Sequence, residues 1–119
     1  MHIAAQILVA LVCIIHIYIF LLETVLFRTR GAKVFGIPKS EIESRAVAMS
    51  NQGLYNGFLA AALLLGLVYP DPAMAKGFAS FGLLCVAVAG IWGAVTVMIR
   101  VLYIQTVPAA LALAAVYLL

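Results

Sequence analysis

Apolar residues fill this chain in four long, unbroken runs, and most of its polar residues lie between the runs or near their ends. A bilayer core of ~30 Å is crossed by ~20 helical residues at 1.5 Å each, and all four runs approach or reach that length. The runs predict helices over about 3–27, 48–69, 73–98 and 102–119, with a polar connector over 28–47. Continuous apolar runs do not alternate in and out as the strands of a membrane barrel must. The expected fold is therefore all-α: a compact bundle of four transmembrane helices, residues 1–119 forming one membrane domain.

Local punctuation supports these boundaries. Gly36 and Pro38 interrupt helix inside the connector, and Ser40-Glu41-Ile42-Glu43 reads as a capping box that opens the second long helix. Tyr69-Pro70-Asp71-Pro72 is a stop and restart, with Asp71 as N-cap and Pro72 at the first helical position. Spans two and three should form an antiparallel hairpin, and a short turn near Arg100 should join spans three and four. Pro108 lies inside the fourth span, where it frees the carbonyl of Ile104 and predicts a kink. Gly82, Ala89, Gly93 and Thr96 recur at helical spacing on span three, a small-residue face suited to close helix packing.

Composition agrees. Of 119 residues, 67% are apolar and 9% charged, too few charges to cover a soluble domain. The net charge of +3 does not point to nucleic acid, because the basic residues gather at span borders. Arg28, Arg30, Lys33, Lys39, Arg45 and Arg100 flank one side and Lys76 alone the other. The positive-inside rule then places the connector in the cytoplasm and both termini outside a bacterial plasma membrane. The first apolar run is too long for a signal-peptide core and lacks a preceding basic segment, so it is expected to remain as a span. Cys13 and Cys85 fall near mid-span and read as small packing residues.

The candidate chemistry lies on the side that carries the connector. Glu23 follows His16 by seven residues, nearly two turns, which places both on one stripe of the first helix. Ionisable groups in such segments are costly and mark function by default. Asn51, Gln52, Tyr55 and Asn56 supply polar groups in the second span, with Gly53 and Gly57 among them permitting close approach. Gln105 stands in the fourth span. Together these residues predict a cytoplasm-facing polar pocket, with His16 as its floor. A plain alternative for Glu23 is a border salt bridge to Arg28, Arg30 or Arg100. No metal site is expected, since His16 and Glu23 are two turns apart and His2 is at the far side. No cofactor motif, nucleophile elbow or phosphate loop occurs.

His16-Ile-Tyr-Ile-Phe-Leu-Leu-Glu23, Asn51-Gln-Gly-Leu-Tyr-Asn-Gly-Phe58, Cys85-Val-Ala-Val-Ala-Gly-Ile-Trp-Gly93 and Gln105-Thr-Val-Pro108 together resemble a family of small bacterial membrane proteins, domain of unknown function 1304. Thr24 and Phe27 stand where Met and Trp are common in that pattern. The resemblance implies a compact four-span protein and no settled activity. The small multidrug-resistance exporters offer a looser physical analogy in length, span count and a glutamate in the first span.

Three functions compete. A binding or transport protein would take a small amphipathic or cationic molecule, with Glu23 holding a cation or proton, His16 tuning it and the amides orienting the ligand. An intramembrane enzyme, for instance an isomerase of a lipid-like substrate, would use His16 and Glu23 as acid and base. A structural or accessory subunit would use the same groups only to lock the bundle. The expected partners are the lipid bilayer and a small-molecule ligand; a homodimer suits so small a bundle, though nothing in the sequence requires one.

Overall fold

A computed structural model describes all residues from Met1 to Leu119. It is helical almost throughout: α1 (Ile3–Glu23), a π-helical turn (Phe27–Gly31), α2 (Ala32–Phe35), a 3-10 turn (Lys39–Glu41), α3 (Ile42–Val68), α4 (Pro72–Thr96), a second π-helical turn (Leu102–Thr106) and α5 (Val107–Leu118). Three stretches are long and apolar enough to cross a membrane: Ile3–Glu23, Lys39–Val68 and Pro72–Thr96. The fourth apolar stretch, Leu102–Leu118, has 17 residues, which rises about 25 Å against the ~30 Å of a bilayer core. Large apolar side chains such as Ile7, Phe81, Val88, Trp92 and Val95 are exposed, as lipid-facing positions would be.

Contacts divide the chain into two units, Met1–Ile14 with Leu59–Leu119, and Ile15–Phe58. The first holds an aliphatic core of Ala5, Val9, Val12, Leu63, Ala79, Leu83, Val86, Ala109 and Ala112. Small residues let its helices meet. A β-carbon on Gly66 would lie 2.7 Å from Ala79 Cβ, and one on Gly82 would lie 2.9 Å from Leu63 Cδ2. Residue pairs 66/79 and 63/82 run in opposite directions, so the end of α3 and the start of α4 form the antiparallel hairpin that Pro70-Asp71-Pro72 predicts. Asp71 accepts from the Met74 N–H at 3.2 Å, with Pro72 in the first turn. Cys13 Sγ donates to the carbonyl of Ala60 at 3.4 Å; Cys13 and Cys85 are both free thiols.

Two expectations about local structure are corrected. The first helix does not continue to Phe27: the Leu26 N–H reaches five residues back to Leu21 O at 2.9 Å, and the Thr24 hydroxyl takes Phe20 O at 2.7 Å. The five-residue reach of the Leu26 N–H, beside the side-chain bond that Thr24 donates, ends the α-helix at Glu23 without Gly or Pro. The capping box at Ser40–Glu43 does not form either. Backbone satisfies the site instead, since Pro38 O accepts the Glu41 N–H at 2.9 Å, while Glu43 is drawn to Arg28 and Glu41 to Arg45.

The second unit turns on glycine. Gly36 has φ +67 and closes α2 with paired bonds, Gly36 N–H to Lys33 O at 3.2 Å and Ile37 N–H to Ala32 O at 2.9 Å. Near the C-terminus, where a kink at Pro108 is expected from sequence, the backbone forms a π-helical turn that ends two residues before the proline. The Val107 N–H bonds Leu102 O, and Pro108 sits in the first turn of α5, where its missing N–H costs nothing.

Candidate functional site

Glu23 is the last residue of α1, and only 2% of it is exposed. Its stripe along the helix is set by periodicity: Ala5, Val9, Val12 and His16 are buried at steps of four, three and four, and Glu23 follows two turns on. His16 is fully buried (0% exposed). A carboxylate at a helix C-terminus faces the negative end of the dipole and needs donors from elsewhere.

The donors come from α3. Gln52 Nε2 donates to Glu23 Oε2, and Asn56 Nδ2 donates to Glu23 Oε1 at 2.5 Å. The two amides are four residues apart on one helix, one turn, so a single carboxylate spans them, one oxygen each. Gly53 between them permits this. A β-carbon there would lie 2.8 Å from both Glu23 Cβ and Thr24 Cγ2, and one on Gly57 would lie 3.0 Å from the Phe20 ring. Glycines one turn apart on α3 thus bring α1 close enough for amide side chains to grip its last residue.

No cation shares this carboxylate. The chain's ion pairs are Arg28–Glu43 at 2.7 Å and Arg45–Glu41 at 2.8 Å, both exposed. Arg30 Nε donates to the Tyr18 hydroxyl at 2.6 Å and stacks 5.7 Å from that ring's centre. The hydrogen bond to Glu43, and then its charge, hold the Arg28 guanidinium above its ordinary pKa. A border salt bridge is therefore not the arrangement Glu23 adopts.

Other residues singled out from the sequence lie differently. Asn51 faces an open groove of about 560 Å³ that is also lined by Phe20, Thr24, Phe27, Ser50 and Leu54; the Glu23 carboxylate does not line it. Tyr55 is 60% exposed and meets Phe58 edge-on at 5.8 Å. Gln105 belongs to the other unit, on the second π-helical turn, its Cβ close to Gly90. Phe20 and Thr24 were not singled out by sequence, yet they are the α1 partners of Gly57 and Gly53. What links them is register, which no local signal sets: positions 20/57 and 24/53 have equal sums, as contacts of an antiparallel pair do. No group of three His, Cys, Asp or Glu side chains gathers as metal ligands would.

No curated protein and no solved structure matches the chain significantly. A family model does, over residues 10–117, which takes in every residue of the Glu23 clamp. The chain belongs to the family described as protein of unknown function, DUF1304.

Proposed function

We propose that this chain is a multi-pass membrane protein that binds or transports a small amphipathic or cationic molecule, using Glu23 as its proton- or cation-binding group. One observation carries the reading: a buried carboxylate is held by two neutral amides and by no cation of its own chain. Neutral donors orient the carboxylate but leave its charge uncompensated, and an uncompensated charge in a low-dielectric setting favours a proton or a cationic guest. The groove beside Phe20 and Thr24 supports the choice of guest. Phe20, Phe27 and Leu54 give it apolar walls, and Thr24, Ser50, Asn51 and Arg28, whose charge is paired with Glu43, give it polar groups, a lining that suits an amphipathic molecule.

In this reading the helices make four crossings of a bacterial plasma membrane, the short fourth one by local thinning of the bilayer, with both termini outside and the connector in the cytoplasm. Purified protein in liposomes under a pH gradient tests it, with tetraphenylphosphonium as the cationic probe. Glu23→Gln should abolish gradient-dependent uptake while leaving the helices intact by circular dichroism. Equal uptake by wild type and Glu23→Gln would overturn the role.

A scaffold reading draws on the same clamp, because both carboxylate oxygens already have donors within the chain. It expects Glu23→Gln to change thermal stability alone. An acid–base enzyme has less support: His16 and Glu23 are separated by about 10 Å of helical rise.

A further inference from the structure

The connector between α1 and α3 folds four basic residues around one open groove of about 560 Å³, lined by Arg28, Arg30, Lys33 and Lys39 over the aliphatic side chains of Ile37 and Ile42. No carboxylate lines it. Glu43 neutralises Arg28 from outside the lining, and Glu41 is bound to Arg45 instead. Arg30 has its Nε fixed by the Tyr18 hydroxyl, which leaves the terminal nitrogens of the guanidinium for another acceptor. Lys33 and Lys39 have no ion pair.

This gathering is imposed by backbone, not by chance extension of long side chains. The π-helical turn Phe27–Gly31 sets Arg28 and Arg30, α2 carries Lys33, and the left-handed Gly36 followed by extended Pro38 brings the chain round to Lys39. Gly31 cannot be replaced without moving that turn, because a β-carbon would collide with the carbonyl oxygen of Leu22. Three like charges that line one groove with no ion-pair partner repel one another, over a range set by the Debye length of ~8 Å at physiological salt. An anion would reverse the sign of that interaction. The aliphatic floor and the position of the groove, whose lining begins five residues after α1 ends at Glu23 and runs into the start of the Lys39–Val68 stretch of membrane-spanning length, indicate the source of the anion.

We propose that this groove is a binding site for the phosphate-bearing headgroup of an anionic phospholipid. The guanidinium of Arg30 and the ammonium groups of Lys33 and Lys39 bind the phosphate oxygens, and Ile37 and Ile42 cover the glycerol and first methylenes. The site is independent of Glu23 and takes a ligand of the opposite charge to the guest proposed there.

Native mass spectrometry of the full chain, released from mixed phosphatidylcholine–phosphatidylglycerol micelles, tests the assignment. Wild type should retain phosphatidylglycerol over phosphatidylcholine. Lys33→Gln with Lys39→Gln should lower that preference roughly tenfold, the scale of one to two basic residues at an anionic surface. Both lysines are exposed, so folding is expected to survive, and Lys33→Arg with Lys39→Arg should keep the preference. Arg45→Gln, which removes a basic charge in the first turn of α3 outside the groove, should also keep it. Equal retention of the two lipids by wild type, an unchanged preference in the double glutamine variant, or an equal loss in Arg45→Gln would overturn the site. Displacement of the retained lipid by millimolar inorganic phosphate would overturn the lipid as its occupant.

Discussion

Asn56 donates to Glu23 at 2.5 Å across the packed pair of helices α1 and α3, and the glycine three residues before it makes the reach short enough. The bond is one half of a clamp whose other half is Gln52. Asn56→Ala leaves one buried carboxylate oxygen without a donor. That should destabilise the chain by about 1–2 kcal/mol, above the ~0.6 kcal/mol average for interhelical bonds in membranes because the acceptor is a carboxylate. A double-mutant cycle of Asn56→Ala with Glu23→Ala, read by thermal melts in detergent, should show a coupling of about 0.5 kcal/mol or more. Additive losses would mean that the two side chains do not depend on each other.

The glycines of this protein should not respond alike. Gly53→Ala places a methyl group 2.8 Å from Glu23 Cβ and Thr24 Cγ2, so α1 and α3 must separate, costing about 1–3 kcal/mol and loosening the clamp. Gly77 also lies within a helix, but a β-carbon there meets nothing within 4 Å. Gly77→Ala should therefore stabilise the chain by about 0.5–1 kcal/mol through helix propensity. Gly36→Ala is equally free of neighbours yet has φ +67, so it should cost about 1–2 kcal/mol from backbone strain alone. Melting temperatures of the three variants check the signs; a stabilised Gly53→Ala would contradict the packing described.

The residues of the clamp were legible in the sequence, because Glu23 and the Gln52–Asn56 pair each stand out in apolar surroundings and have helical spacing. Their mutual contact was not, since it depends on the register of two helices that no local signal sets. Asn51 and Tyr55 looked equivalent to Gln52 and Asn56 by composition. They differ by about one step round the helix, 100°, which sends Asn51 to the groove and Tyr55 to an exposed edge. The hairpin at Asp71 was readable because Pro and an N-cap act within a few residues. The two π-helical turns were not: bonds to the fifth residue back arise where neighbouring helices force an extra residue into a turn, and Phe27–Gly31 contains no residue type that announces it.

The second π-helical turn makes its own prediction. Gly90 of α4 lies against Thr106, and a β-carbon there would collide with the Thr106 hydroxyl, which donates to Ala87 O at 2.8 Å. Gly90→Ala should break that bond and push the turn away from α4, lowering stability by about 2 kcal/mol. Thr106→Val, which removes the hydroxyl and keeps the shape, should cost less, about 1 kcal/mol. Hydrogen exchange of the 102–107 amides should rise in Gly90→Ala and change little in Thr106→Val.

Two polar residues with the same apparent role at helix starts should behave oppositely. Asp71 is a working N-cap, its carboxylate accepting from the Met74 N–H at 3.2 Å with Pro72 in place after it. Asp71→Ala should cost about 1 kcal/mol, and Asp71→Asn much less, since the amide oxygen accepts the same bond. Ser40 occupies the position that a capping box assigns to the N-cap, but it lies inside the 3-10 turn Lys39–Glu41 and caps nothing with its side chain. Pro38 O already takes the Glu41 N–H, so Ser40→Ala removes no bond and should leave the melting temperature within the scatter of wild type. A loss for Ser40→Ala as large as that for Asp71→Ala would mean that α3 begins with the serine as its cap and that the backbone turn at Pro38 is not what opens it.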